Sequence, residues 1–560
     1  MSLRIALVGA EVQAVPAGFA RLGSLGSAEL IGAPGTVHAA AGNAVLVGWT
    51  FRSDNHAPVT SLTDAQIRDI AASQGRWALQ NLWGNYLLFW IDGQGDVRLL
   101  RSPITGPAFF QYSGGGTLCA FTDLALARAL GCRLDRLEPE AVDAAIRYPL
   151  MRAPATGIAD VREIIPGEIS RFGKNGPEGA SWSPWDHALC PPRRIEADEL
   201  RSQVHRVVTA WSGRFERIQL ELSGGIDSSI VAACLADRVG PWRALTMVTA
   251  EPDGDERVYA RAMADRVGVE LEELLLAREP ADPLAIHGPL RARPGGFGLL
   301  AANDAAQLAA ARVYRADALF SGTGGDGTFG YQASIAPALD AFRFAGLRSA
   351  LGAAGDQASI TGDNLWNAIF HGIKGWFRDL RIWPVDDSFL SSRFAAPRPS
   401  HPWLIGAGRV APGQRRYGLG PLLIQPFLDG YDRALALPKI APLLSQPLIE
   451  FGLGVASWQW GEGGINRALA REAFRRDLPD IILARRSKGR ILSLFLPAFE
   501  ANRARLRPYL LGGWLASSGI LDCDAVDAIL DGRSKPDALA MIRILHLTDI
   551  ERWARSIVGE

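Results

Sequence analysis

Two different rhythms of apolar residues run along this chain. Up to about residue 190, apolar positions come in short runs or alternate with polar ones. NAVLVGWTF, NYLLFWID, DVRLLRS and TLCAFTD are divided by Gly, Asn and Asp turns, which predicts a β-rich unit. LTDAQIRDIAASQ and EPEAVDAAIRY have helical spacing instead. Thr63 is the expected N-cap of the first, read without a Glu or Gln partner three residues on. The Gly-, Pro- and Ser-rich stretch GKNGPEGASWSPWDHALCPPRR then breaks the pattern, and a domain boundary is expected there, separating 1–190 from 195–560.

The second rhythm alternates. ADELRSQVHRVVTAWSG reads as a helix, RIQLEL as a strand, SSIVAACLADRVG as a helix and WRALTMVTA as a strand. DERVYARAMADRVG, ELEELLL, NDAAQLAAARVYRA and DALFSG continue as helix, strand, helix and strand. Strands separated by helices of this length predict a parallel sheet covered on both faces. Beyond about residue 335 the spacing is mostly helical.

Composition narrows the picture only a little. A chain of 560 residues is too long for one ordinary domain. Lys+Arg and Asp+Glu both number 59, a balance that argues against a bulk nucleic-acid or membrane-surface binder. Sixteen tryptophans favour large apolar grooves as well as core. The five cysteines are scattered without a CxxC pair, so neither a disulfide framework nor a zinc site is expected. The N-terminal apolar run is short and broken by Glu11, and no stretch reaches the length of a membrane span, so a cytoplasmic protein is expected.

Candidate chemistry concentrates in LELSGGIDSSI, Leu220 to Ile230, where a strand becomes a helix. In a parallel sheet, ligands bind beyond the carboxyl ends of the strands. Gly224 and Gly225 let backbone N–H groups turn toward an anion, and the helix N-terminus adds partial positive charge. Ser223, Ser228 and Ser229 add hydroxyl donors. Asp227 would repel phosphates unless a divalent cation lies between them, so the stretch reads as a cradle for pyrophosphate and magnesium. Two other phosphate motifs fail on inspection. GEISRFGKN is one residue too long for a Walker A loop and has Asn175 where Ser or Thr should stand. GTGGDG, Gly322 to Gly327, matches a dinucleotide fingerprint but lacks the βαβ unit and terminal acid that should follow.

The string S-G-G-x-D-S-S resembles the PP-loop of the ATP pyrophosphatases, which cleave ATP between the α- and β-phosphates. LFSGTGGDGTFGY resembles the second loop of the asparagine synthetase family, whose Asp, here Asp326, helps hold magnesium. The resemblance implies that Asp227 and Asp326 are metal ligands and catalytic groups. It assigns Leu222, Ser223, Gly224, Gly225, Asp227, Ser228, Val248, Gly322, Thr323 and Gly324 to the nucleotide. NRALAREAFRRDLPDIILARRSKGR resembles the family's C-terminal segment and places Lys488 on the catalytic, phosphate-contacting lysine; Arg467, Arg471 and Arg485 are additional cations. ATP and Mg2+ are the implied cofactors. LWGNYLLFWIDGQGDVRLLRSPITGPAFF and VREIIPGEISRF resemble the family's glutaminase domain. The implied fold is α/β and α+β: an Ntn-glutaminase-like β-rich sandwich, then a PP-loop parallel-sheet domain with a helical C-terminal part.

Departures from the family shape the functional expectation. Glutamine-dependent members begin Met-Cys-Gly, whereas this chain begins MSLRIALVGA, so the glutaminase-like domain is expected to be degenerate and the amine must come from elsewhere. Thr323 stands where asparagine synthetases place Glu and β-lactam synthetases place Tyr, and Gly327 replaces the Glu after Asp326. SGTGGD, RRSKG and the missing Cys together look most like lasso peptide cyclases. These adenylate an Asp or Glu side chain of a precursor peptide, and the peptide's own N-terminal amine then closes a macrolactam. That resemblance implies a precursor peptide as substrate, with a leader-binding element and a leader peptidase as partners, and neither nucleic acid nor membrane. A small-molecule amide or β-lactam synthetase, an asparagine-synthetase-like amidotransferase and an inactive ATP-binding scaffold are the alternatives. Trp366, Phe370, Trp376, Phe377 and Trp383 form either core or the wall of a peptide-sized groove, and 340–420 is a candidate lid. His287, Asp304, Asp356 and Asp363 are all candidates for a general base.

Overall fold

The computed structural model describes residues 3–559 apart from 10, 11, 13, 175, 177–180, 189, 249–254, 276–281, 286–289, 295–297, 332, 363–384, 395–399, 429–431 and 486–491. The chain is mixed α/β, with two antiparallel sheets and one parallel sheet.

Strands β1 (Ile5–Val8), β2 (Ala20–Leu25), β3 (Ala28–Gly32), β8 (Phe109–Gly114), β9 (Thr117–Phe121) and β10 (Val161–Ile164) form the first sheet, ordered β10-β8-β9-β1-β3-β2. Strands β4 (His38–Ala41), β5 (Ala44–Arg52), β6 (Leu82–Ile91), β7 (Val97–Arg101) and β11 (Ile169–Arg171) form the second, ordered β11-β7-β6-β5-β4. Alternate residues explain why these strands read as unbroken apolar runs. In β5, Val45 and Val47 join Leu87 and Phe89 of β6 and Ile5 and Leu7 of β1 in the core between the two sheets. Their neighbours Ala44, Leu46, Tyr86, Leu88 and Trp90 face the other way. There they pack on Leu200, Val204, Val207, Val208 and Trp211 of the helix Ala197–Ser212. The outer face of the first sheet is covered too: Ala6 and Val8 share a cluster with Phe495, Phe499, Ile544 and Leu547 of the C-terminal helices Leu492–Leu511 and Ala538–Val558. A sheet buried on both faces has no polar side to write into its sequence.

Thr63 caps the helix Asp64–Ala72, and here the sequence expectation is corrected. Gln66 lies three residues on and its side chain accepts from the Thr63 N–H at 2.9 Å, which closes a reciprocal capping box. The short strands β1 to β4, β8, β10 and β11 went unread in the sequence.

The third sheet contains β12 (Ile218–Glu221), β13 (Trp242–Val248), β14 (Leu271–Leu275), β15 (Ala318–Ser321) and β16 (Lys439–Ile440), ordered β14-β13-β12-β15-β16. Every pairing in it is parallel. The chain runs from β12 outward through β13 to β14, then returns to the other side of β12 as β15. That reversal makes the carboxyl ends of β12 and β15 the switch point of the sheet, where a crevice must open. After the helix Ala336–Thr361 the described chain is mainly helical, and no described helix is long and apolar enough to cross a membrane. Trp83, Trp90, Trp403 and Trp460 are almost wholly buried core residues; Trp366, Phe370, Trp376, Phe377 and Trp383 lie outside the described residues.

Candidate functional site

Leu222 follows β12 fully buried, its N–H donating to the Leu245 carbonyl at 2.8 Å, and from there the chain turns into the helix Ile226–Leu235. Gly224 makes the turn at φ 64°, and a Cβ there would lie 2.3 Å from the Cβ of Tyr259, so only glycine fits both the dihedral and the space. Gly225 is the N-cap, and its N–H donates to Ser223 Oγ at 3.4 Å. Ser228 Oγ lies 3.2 Å from Ser223 Oγ and 3.2 Å from the Gly225 carbonyl it donates to. Asp227 stands in the first turn of the helix. Val248 is the last residue of β13, buried beside this turn's strand.

The neighbouring loop leaves β15. Ser321 Oγ donates to Thr323 Oγ1 at 2.9 Å, and Gly324, at φ 85°, opens the one-turn helix Gly325–Thr328 that carries Asp326. The two loops are in direct contact. A Cβ at Gly322 would lie 2.4 Å from the Ser228 nitrogen, and one at Gly325 would lie 2.4 Å from Asp227 Cγ.

This packing brings the two acids together. Asp227 Oδ2 lies 3.6 Å from Arg467 Nη2, and Asp326 Oδ1 forms an ion pair with the same nitrogen. Arg467 itself has φ 55°, a strained left-handed conformation for a residue with a side chain, and its guanidinium lies 5.4 Å from the Tyr331 ring centre. The structure separates the three candidate arginines. Arg485 pairs with Glu256, donates to the Ser223 carbonyl at 3.3 Å and lies 4.1 Å from the Tyr259 ring centre, which braces the first loop. Arg471 is spent on architecture: it donates to the carbonyls of Asn466, Ile482, Leu483 and Arg485, so it is not a phosphate ligand.

Carboxylates converging on one cationic nitrogen have the right disposition for a divalent cation. Among the described residues no group of three or more His, Cys, Asp and Glu side chains forms a metal cage. Two carboxylates without a cage suit magnesium, which usually takes one or two protein acids and completes its shell from phosphate oxygens and water.

A further charged pair borders the site. Glu221, the acid inside LELSGG, accepts from Lys439 Nζ at 2.7 Å, and is paired in register with Ser321. Burial raises its pKa, but the charge and hydrogen bond of Lys439, with Arg433 and Gln307, outweigh that and hold it below the ordinary glutamate value. A charged residue closing a buried core strand was the available signal. Lys439 also lines a cavity of about 120 Å³ with Ser321 and Thr323. Its far wall is Asn85, Arg101, Thr105 and Gly106 of the antiparallel unit.

Lys488 lies outside the described residues, as do His287 and Asp363. Of the other candidates for a base, Asp304 is held by Arg433 at 2.5 Å. Asp356 has its pKa raised by burial, partly offset by hydrogen bonds from the Gly463 and Gly464 backbone. Neither lines the cavity at Thr323.

No curated protein matches this chain. Residues 199–384 match the asparagine synthase family, a segment that holds both acid-bearing loops and ends before Arg467 and Lys488.

Proposed function

We propose that this protein activates a carboxyl group with ATP and joins it to an amine. ATP would bind over the two glycine-rich loops, with Leu222, Ser223, Gly224, Gly225, Ser228, Val248, Gly322, Thr323 and Gly324 around it. Asp227 and Asp326 would hold Mg2+, which supplies charge neutralisation of the phosphates when bound. The substrate carboxylate attacks the α-phosphorus, the bond to the β-phosphate oxygen breaks, and pyrophosphate leaves. An amine then attacks the acyl carbon, the bond to AMP breaks, and the amine loses a proton. Lys488 is assigned to charge on the phosphates and leaving group.

The finer reading is macrolactam closure within a precursor peptide, assisted by a leader-binding element and a leader peptidase. Thr323 supports it, because its hydroxyl is no base near neutral pH. When amine and acyl-adenylate belong to one folded peptide, effective molarities of about 10⁵ M or more relax the need for a base.

The observation that carries the activation step is the convergence of Asp227 and Asp326 on one guanidinium at the switch point of the parallel sheet. The test is acid-dependent exchange of labelled pyrophosphate into ATP. Asp227→Asn and Asp326→Asn should each abolish exchange while the protein stays folded. Release of ADP and phosphate in place of AMP and pyrophosphate would sink the proposal.

A further inference from the structure

A second, larger cavity of about 660 Å³ lies between the helix Pro139–Arg147 and the C-terminal helix Ala538–Val558. It falls within the ~300–1,000 Å³ typical of ligand sites, whereas the 120 Å³ beside Thr323 holds no more than a small acid. The two cavities share a wall. Arg152, 6% exposed, lines both. Pro426 faces the large cavity, while Gln425 and Phe427 on either side of it face the small one.

Backbone strain flanks this wall on both sides. Ile104 is fully buried at φ 63°, rare for a β-branched residue, and its carbonyl accepts from Gln425 Nε2 at 2.7 Å. Phe389, which lines the large cavity, is held at φ 62°, its carbonyl accepting from the Asp522 N–H at 3.0 Å. Such conformations concentrate at ligand clamps, where the surroundings over-determine them.

The geometry points to the large cavity as the site that holds the body of an extended peptide substrate, whose side-chain carboxylate passes Arg152 to reach Thr323. This rests on the peptide reading above and adds the place in the fold where the body of that substrate lies. The lining chemistry selects a peptide over a free amino acid. Small apolar residues such as Ala145 and Ala540 leave room for side chains, and Leu539, 74% exposed, gives an apolar rim. Arg293 pairs with buried Glu163 and Arg543 with Asp386, while Arg152 on the shared wall places a guanidinium between the large cavity and Thr323, on the path of a substrate carboxylate.

The test uses the full-length protein and a synthetic pool of ten-residue peptides, each with one glutamate. Retained peptides are identified by mass spectrometry after size filtration. Wild-type protein should retain a defined subset. Ala145→Trp and Ala540→Trp, which fill the cavity from opposite walls, should each reduce that retention at least tenfold and leave ATP affinity within twofold. No retained subset, or retention by both variants equal to that of wild type, overturns the inference. Pyrophosphate exchange separates it from the reaction. Variant-sensitive retention without exchange keeps the peptide site and removes the adenylation. Exchange driven by free aspartate or glutamate and indifferent to both tryptophans keeps the adenylation and removes the peptide site.

Discussion

Replacing Gly322 by alanine probes the junction between the two loops. The added Cβ would stand 2.4 Å from the Ser228 nitrogen and 2.8 Å from the Asp227 carbonyl carbon. Ordinary van der Waals contact begins near 3.4 Å, so the loops must separate by about 1 Å. Both obstructing atoms belong to the backbone at a helix N-terminus and cannot rotate away. Overpacking of this kind costs about 1–3 kcal/mol of stability. The same displacement carries Asp326 away from Asp227, and a ~1 Å misplacement at a reacting centre costs about 10²-fold, equivalent to about 2.7 kcal/mol in the barrier. Acid-dependent pyrophosphate exchange should therefore fall about a hundredfold, with a lowered Tm. Gly327→Ala is the internal control: its Cβ would meet nothing within 4 Å, although it sits two residues beyond Gly325 in the same short helix. It should keep exchange within twofold and gain up to about 1 kcal/mol in stability. If Gly322→Ala exchanges within threefold of wild type, or Gly327→Ala falls as far as Gly322→Ala, contact between the loops is not what positions the acids.

Other perturbations test neighbouring parts of the site. Arg467→Met removes the cation between Asp227 and Asp326; at 3.6 Å and an effective dielectric near 20 the nearer-buried pair is worth up to about 4–5 kcal/mol. Asp326 is 38% exposed, so solvent screening brings the net loss to about 1–2 kcal/mol, and millimolar MgCl2 without nucleotide should raise the Tm of the variant more than that of wild type. Equal magnesium shifts in the two proteins would contradict a shared cation position. Lys488→Met should lower exchange by about 10²–10³-fold while ATP affinity changes less than tenfold, measured by calorimetry; a parallel loss of both would make the lysine a binding group only. His401 is 2% exposed and its Nδ1 accepts from the Trp403 N–H at 3.1 Å. Burial, then the charge of Arg293, holds its pKa down to about 3 from 6.5. The unfolded chain binds the proton first, so stability is complete above about pH 6.5 and falls by up to about 1.4 kcal/mol per unit as pH drops toward 3. His401→Asn keeps an acceptor and loses the proton site, so its urea midpoint should vary less between pH 6 and 4; an unchanged slope would place the titration elsewhere.

What could be read in the sequence was whatever has a local cause. A strand, two glycines and a serine-rich helix start lie next to one another in LELSGGIDSSI, and the same is true of the loop after DALF, so both loops appear at the expected strand ends. The cavity system has no local cause. Arg152 follows the first helix-bearing part of the chain, Gln425 lies 273 residues later and Ala540 is near the C-terminus, and nothing in their flanking residues links them. Only the return of the C-terminal helices to the first antiparallel sheet joins them. Arg467 shows an intermediate case. NRALARE offered it and Arg471 as equivalent cations four residues apart, one helical turn, which should place them on the same face. The left-handed backbone at Arg467 breaks that equivalence, because it lies outside the helix Ala468–Ala473 and aims its guanidinium at the acids while Arg471 closes on carbonyls of its own segment. Spacing identifies which residues can share a surface; a single dihedral angle at a helix start decides which of them reaches the chemistry.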